Sequence, residues 1–172
     1  EEEPREKTAM GEEMFHSLVE ETAAPVAISD LTGHLTYVNP AFAELVGYGA
    51  EELTGLPFLN HIHSEDRERV MSMFLQGLSS PETHPQDLEF RAVRKDGSIR
   101  YLLTRPTRLT VKGELTGFAS IITDITERKQ AEKEIRDLAR FPSENPNPVL
   151  RIDGHGTVVS ANDASKAIVQ DL

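Results

Sequence analysis

The chain has 172 residues, 38 % hydrophobic and 27 % charged, which suits one domain of about 100–150 residues with added segments and argues against disorder throughout. Its 18 basic and 29 acidic residues leave a net charge of −11, which repels phosphate backbones and argues against nucleic acid as a partner. With no cysteine, disulfides, thiolate metal sites and cysteine nucleophiles are excluded, and no apolar run approaches the roughly 20 residues that a membrane helix needs.

Residues 1–12 read as a polar tail, opened by Glu1, Glu2 and Glu3. A helix is predicted over 12–22, with Phe15, Leu18 and Val19 on one stripe. Pro25 ends it and starts an extended segment. Val26 to Ser29 and Leu35 to Val38 read as a hairpin around the Asp30–Gly33 turn. Asn39-Pro40 then opens a helix, with an amide side chain to cap it and proline at its first position. Gly47 is placed to end that helix in a left-handed conformation. A short turn, Ala50 to Leu53, ends at Gly55.

Ser64 starts a longer helix whose first turn carries Glu65 and Asp66, as the helix dipole favours. Met71, Phe74, Leu75 and Leu78 supply its expected buried stripe, widened by Val70, and Ser79-Ser80-Pro81 ends it. Leu88, Phe90 and Ala92 alternate with polar residues, the period of a half-buried strand. Asp96-Gly97 marks a hairpin. Ile99 to Leu109 is the next strand, with Pro106 implying a bulge or an edge. After a turn at Val111–Glu114, Gly117 to Ile125 is the last strand. Beyond Thr126, Ala131, Ile135 and Leu138 form a coiled-coil-like seam. About two heptads is short for an isolated coil, so a second helix is expected against it. Phe141-Pro142 is expected to end this helix. The order β-β-α-α-α-β-β-β describes an α+β plan.

The chain also contains a repeat. Pro25-Val26 recurs as Pro148-Val149, an offset of 123 residues (148 − 25). In the same register Asp30 matches Asp153, Gly33 matches Gly156, Asn39 matches Asn162 and Ala41 matches Ala164. That spacing is too long for a solenoid and suggests tandem domains. The second copy breaks off soon after its first helix should begin. With no initial Met, the sequence is expected to be a piece of a longer, cytoplasmic protein whose membrane anchoring stays open.

Several segments resemble the PAS family of bacterial sensory domains. Tyr37-Val38-Asn39-Pro40-Ala41-Phe42 looks like the family's strand-to-helix entry. Leu45-Val46-Gly47-Tyr48, followed by Glu51-Glu52-Leu53-Thr54-Gly55, looks like its next turn. His63-Ser64-Glu65-Asp66 resembles its His-Pro-Glu-Asp, with Ser for Pro. Arg94-Lys95-Asp96-Gly97-Ser98 is similar to its hairpin, and Asp124-Ile125-Thr126-Glu127-Arg128-Lys129 to its exit sequence. The match covers roughly 13–129, and 145–172 resembles only the family's opening. The resemblance implies a PAS fold: a five-stranded antiparallel sheet of order 2-1-5-4-3, helices on one face, and a C-terminal linker helix that carries the signal. The expected domains are 13–125 as a complete copy, 126–142 as the linker and 143–172 as a truncated second copy.

Asp124, Ile125 and Thr126 are the candidates for signal transmission, against plain helix capping. Phe42, Tyr48, Phe58, Met73, Phe74, Phe90 and Tyr101 either line a ligand pocket or pack an ordinary core. Arg105 either faces inward, which requires an anion or carboxylate, or faces solvent. His61, His63 and Asp66 are loosely spaced for a metal and read as loop and helix-start residues. His84 is the one candidate haem ligand, against a solvated loop histidine. Covalent flavin chemistry is excluded by the missing cysteine, and non-covalent flavin is not. No phosphate loop, nucleophile elbow or kinase signature is present.

Three readings follow. The first is a non-enzymatic sensory module, sensing a small ligand or a partner, or holding no ligand, and feeding an effector in the same polypeptide, a histidine kinase or a diguanylate cyclase. The second is a ligand-free dimerisation platform, a homodimer through the N-terminal and linker helices. The third is a haem or flavin sensor.

Overall fold

The structure, a computed structural model, describes residues 17, 19–79, 87–144 and 146–165, and the side chains of all of these but 138–144. The chain divides into two compact units, 1–126 and 127–172. Most of the helix expected over 12–22 lies outside the described residues; Ser17, Val19 and Glu20 are helical.

In the first unit β1 (Val26–Asp30) and β2 (Leu35–Val38) form the expected hairpin. Asp30 fixes its turn by accepting from the backbone N–H groups of Thr32 and His34 at 2.8 and 2.9 Å. Helix α1 (Pro40–Val46) starts at Asn39 and ends at Gly47, whose φ of 76° is left-handed. Only glycine takes that conformation without strain, and its N–H reaches the carbonyls of Ala43 and Glu44. A short α2 (Ala50–Leu53) follows, then 3-10 turns at Phe58–His61 and Ser64–Asp66 that lead into α3 (Arg67–Ser79).

The buried stripe of α3 is set differently from the expected one. Val70 is buried and Met73, Phe74 and Gly77 share its inward face, whereas Leu75 is 52 % exposed. Both stripes have helical spacing. The inward one wins because Gly77 leaves room for the Phe118 ring, which a Cβ there would approach to 3.2 Å.

Strand β3 (Leu88–Val93) pairs with β4 (Ile99–Thr104) across the Asp96-Gly97 turn. The strand expected over 99–109 is split into β4 and β5 (Thr107–Val111), and both pair with β6 (Glu114–Asp124). Thr104 faces Ile122 and Thr107 faces Ala119, so the register is kept across the break. Pro106 has no N–H to give to the ladder, which explains an interruption without a slip. The sheet order is β2-β1-β6-β4-β3, with β5 beside β6. With β4 and β5 taken as one strand, this is the expected 2-1-5-4-3 order.

The core lies between sheet and helices around Val46, Leu53 and Leu102, each 1 % exposed or less. Gly117 sits on β6 opposite Asp30 of β1. A Cβ at Gly117 would lie 2.1 Å from the Ser29 carbonyl oxygen, so β1 and β6 could not keep their spacing. Gly117→Ala is expected to lower the unfolding free energy by about 3 kcal/mol, read from urea denaturation; a loss within experimental error would refute this close approach.

Helix α4 (Thr126–Glu144), which lies in the second unit from Glu127 on, runs two residues past Pro142, the expected stop. Proline's fixed φ is itself helical, and its missing N–H costs only one bond in a last turn. The hairpin β7 (Leu150–Ile152) and β8 (Val158–Ala161) follows. The bonds that its asparagine and aspartate make to the backbone repeat those of the first hairpin at the offset of 123. Asn39 accepts from the N–H groups of Val26 and Phe42 and donates to the Ala24 carbonyl. Asn162 accepts from those of Val149 and Ser165 and donates to Asn147. Asp153 holds His155 and Thr157 as Asp30 holds Thr32 and His34.

Candidate functional site

The inner faces of the strands meet α3 and the turn before it around a chamber of about 380 Å³. That lies at the low end for small-molecule sites, about 300–1,000 Å³. Alternate residues of each strand supply the sheet wall: Ala27 and Ser29, Leu88, Phe90 and Ala92, Leu102 and Thr104, Phe118, Ser120 and Ile122. Phe74 of α3 meets Phe58 of the first 3-10 turn and Phe118 of the sheet, edge to face, with centroids 5.2 and 5.4 Å apart.

Of the expected pocket residues, Phe42, Phe58, Met73, Phe74 and Phe90 all line the chamber. Tyr48, Tyr101 and Arg105 do not. Tyr48 stands behind the wall, edge-on to the His61 ring at 4.8 Å. Tyr101 has the opposite parity to Leu102 and Thr104, whose side chains are buried, so it lies on the outer face. Arg105 has Tyr101's parity and pairs with Asp87 at 2.8 Å in an exposed bridge. The arginine that lines the chamber is Arg108, on β5, which donates to the Gly77 carbonyl.

The structure also separates His61, His63 and Asp66. His61 is 8 % exposed, not a surface residue. It lines the chamber, and its Nε2 has no hydrogen-bond partner among the described residues. Burial pushes its pKa below the ordinary histidine value, which favours the neutral ring. His63 accepts from the Glu65 N–H at the start of the second 3-10 turn. Asp66 binds Arg91 on β3 through its backbone N–H, Nε and Nη2, at 2.8, 3.0 and 3.0 Å. Among the described residues no group of three acidic or histidine side chains could hold a metal. His84 lies outside the described residues.

At the far end of β6 the expected exit residues form one hydrogen-bonded unit. Asp124 Oδ1 accepts from the Thr126 N–H at 2.9 Å and from its hydroxyl at 2.5 Å. The hydroxyl oxygen of Thr126 in turn accepts from the Tyr101 N–H at 2.9 Å, and the Ile125 N–H donates to the Tyr101 carbonyl at 2.8 Å. Ile125 and Thr126 are buried, and Arg100 lies 3.5 Å from Asp124. Further along α4, Ala131 and Ile135 of the expected seam are exposed, Ile135 by 68 %; the side chain of Leu138 is outside the described set.

An antiparallel sheet, helices over one face and a chamber between them define an α+β domain with an internal cavity. The chain belongs to the family of the PAS fold, whose model matches residues 35–122. It is similar to the C4-dicarboxylate transport sensor protein DctS of Rhodobacter capsulatus, 32 % identical over 112 residues, which are 62 % of this chain and 16 % of that protein. It is also similar to the signal transduction histidine-protein kinase AtoS of Escherichia coli, 26 % identical over 148 residues, 80 % of this chain and 24 % of that protein. The chain thus spans less than a quarter of the length of these curated relatives. Among solved structures, the PAS domain of a Colwellia psychrerythraea protein superposes with a TM-score of 0.62 at 21 % identity, covering 67 % of this chain and 98 % of that one. A sensory box histidine kinase/response regulator of Burkholderia thailandensis gives 0.57 at 25 %, covering 74 % and 95 %.

Proposed function

We propose that this chain is the sensory module of a larger signal-transduction polypeptide. A small molecule in the chamber biases the exit residues Asp124–Thr126 and, through α4, an effector in the same polypeptide. A histidine kinase is the first choice of effector, because DctS is named a sensor and AtoS a histidine-protein kinase. On this reading 13–125 is the sensor, 126–142 the linker and 143–172 the opening of a second sensor. The repeat of the Asn39 backbone bonds around Asn162 supports the last assignment.

The observation that carries the proposal is the closeness of chamber and exit. Leu102 lines the chamber and faces Asp124 in register. Its neighbour Tyr101 is the residue that Thr126 and Ile125 hold. A shift at Leu102 therefore reaches the first residue of α4 within one peptide unit. An internal volume of this size also supports ligand sensing over a platform with a filled core.

Native mass spectrometry of the purified protein tests occupancy: a released small molecule is expected. Hydrogen exchange tests the relay. Occupancy is expected to change exchange at Tyr101, Ile125 and the first turn of α4, and Thr126→Val to abolish that response. Thr126→Val itself should cost about 1–2 kcal/mol by leaving the Tyr101 N–H unpaired. A bound molecule that leaves those amides unchanged refutes the relay.

A further inference from the structure

We infer that Arg108 latches the mouth of the chamber, and that a small molecule enters and leaves where this side chain lets the end of α3 part from β5; this rests on the sensory reading above. Among the described residues that line the chamber, the exposed ones are Gln76 on α3 and Thr107 on β5. They mark where the chamber meets solvent. Their neighbours in sequence are Gly77 and Arg108, and Arg108 Nη1 donates to the Gly77 carbonyl. A hydrogen bond thus crosses the gap at which the chamber opens.

The sequence leaves that carbonyl to Arg108. In an α-helix the Gly77 carbonyl would accept from the N–H of residue 81, but that residue is Pro81, which has none. Helix α3 ends at Ser79, so Gly77 belongs to its last turn, whose carbonyls lack helical partners and favour a cation. Arg108 is the one formally charged residue of the described lining, and no Asp or Glu stands there to draw the guanidinium away.

The two ends of α3 are held differently. At its start, Asp66 takes three bonds from Arg91 of β3, and Arg69 donates to the Glu89 carbonyl at 2.7 Å. At its end the tie to the sheet runs through Arg108, and it lands on a glycine, which brings no side chain of its own and adds backbone freedom to the turn. Release of Arg108 therefore lets the last turn swing from β5 while the start of the helix stays on β3. Gly77 also receives the Phe118 ring, so the same swing opens the seam between helix and sheet. A bond from a charged donor corresponds to roughly a factor of ten to a hundred between closed and open forms, enough to set how fast the chamber fills and empties.

Stopped-flow fluorescence on the whole chain tests this with N-phenylnaphthylamine, an uncharged dye that brightens in apolar surroundings; Overhauser contacts to Leu102 and Ile122 report its seat in the chamber. Arg108→Met removes the donor and keeps an unbranched side chain. Entry and exit are both expected to quicken by about tenfold or more, with the dissociation constant unchanged, because a latch sets the barrier and leaves the seated dye alone. A residue that grips the dye would change the dissociation constant instead. Arg108→Lys keeps a cation that can donate to the carbonyl and should restore most of the slow exchange. Gln76→Trp, at an exposed helix position, leaves Arg108 in place and should slow both rates by obstructing the mouth. Rates that Arg108→Met leaves unchanged overturn the latch. Rates indifferent to Gln76→Trp overturn it too, and so does a dye that finds no saturable seat in the chamber of either the native chain or Arg108→Met. Each of these results leaves the sensory reading to be decided by native mass spectrometry and the relay amides.

Discussion

Asn39→Ala is expected to lower the unfolding free energy by about 3–5 kcal/mol, the largest of the stability losses expected for this chain. Asn39 is 0 % exposed. Its Oδ1 accepts from the N–H groups of Val26 and Phe42 at 2.8 and 3.0 Å, and its Nδ2 donates to the carbonyls of Val19 and Ala24 at 3.0 and 2.8 Å. One amide thus fastens the entry to β1 and the start of α1 to the end of the preceding helix. A helix cap by itself is worth about 0.5–2 kcal/mol; the rest comes from backbone groups left unpaired away from water.

Asn39→Asp separates the two contributions. Aspartate caps as well as asparagine, so a residue that only caps would tolerate it. Here the carboxylate would lose both donors and face two carbonyl oxygens. A loss of at least about 2 kcal/mol in urea denaturation is expected, and an unchanged midpoint would refute the four-bond role. Asn162 lies in the second unit with the same kinds of partner. Asn162→Ala should therefore raise amide exchange in β7 and β8 and leave the main transition in place.

These two asparagines show how much of the fold the sequence discloses. The offset of 123 residues is visible as letters, and it survives as geometry because each hairpin is closed by local bonds that need the same side chains. Asp/Gly turns, Asn-Pro starts and left-handed Gly47 are likewise local, so they can be read before any packing is known. Parity on β4 is harder. Ile99, Tyr101 and Leu103 on one face and Leu102 on the other are all apolar, so the period of two does not tell the faces apart there. The hairpin could have done so. Counting back from Asp96-Gly97 pairs Leu102 with Phe90 and Thr104 with Leu88, which puts these, and with the register kept also Arg108, on the side of the alternating Leu88, Phe90 and Ala92. Arg105 then falls outside. His61 has no such signal. Its depth depends on how the 3-10 turn at 58–61 folds under β3, a tertiary contact that no spacing encodes. The stripe of α3 failed to declare itself for a related reason: Gly77 is inward only because Phe118, 41 residues on (118 − 77), needs the space.

Asp66 carries the second large effect, and it is a function of pH. Hydrogen bonds from the Arg91 side chain, then its backbone N–H and its charge, hold the Asp66 carboxyl at a pKa of about 2, against 3.8 for the free residue. The side chain is 12 % exposed, so solvent screens the pair little. A carboxyl whose pKa is lower in the folded state stabilises the fold above its unfolded pKa. That contribution is lost as pH falls from about 4 to about 2, and a shift of nearly two units corresponds to about 2.5 kcal/mol. Asp66→Asn removes the titration. At pH 7 it should be less stable than the native chain by about 2.5 kcal/mol or more, because Arg91 keeps its charge and loses its bidentate partner. Below about pH 2 the two chains should converge. Asp30, Glu52 and Asp96 also have lowered pKa values, but they are common to both chains and cancel in the difference. Parallel stability curves through this window would show that Asp66 does not tie the start of α3 to β3. Convergence would show that Asp66 ties the start of α3 to β3 through its carboxylate. Because Arg91 neighbours Phe90 and Ala92 of the chamber wall, the same variant should also loosen amide exchange along β3.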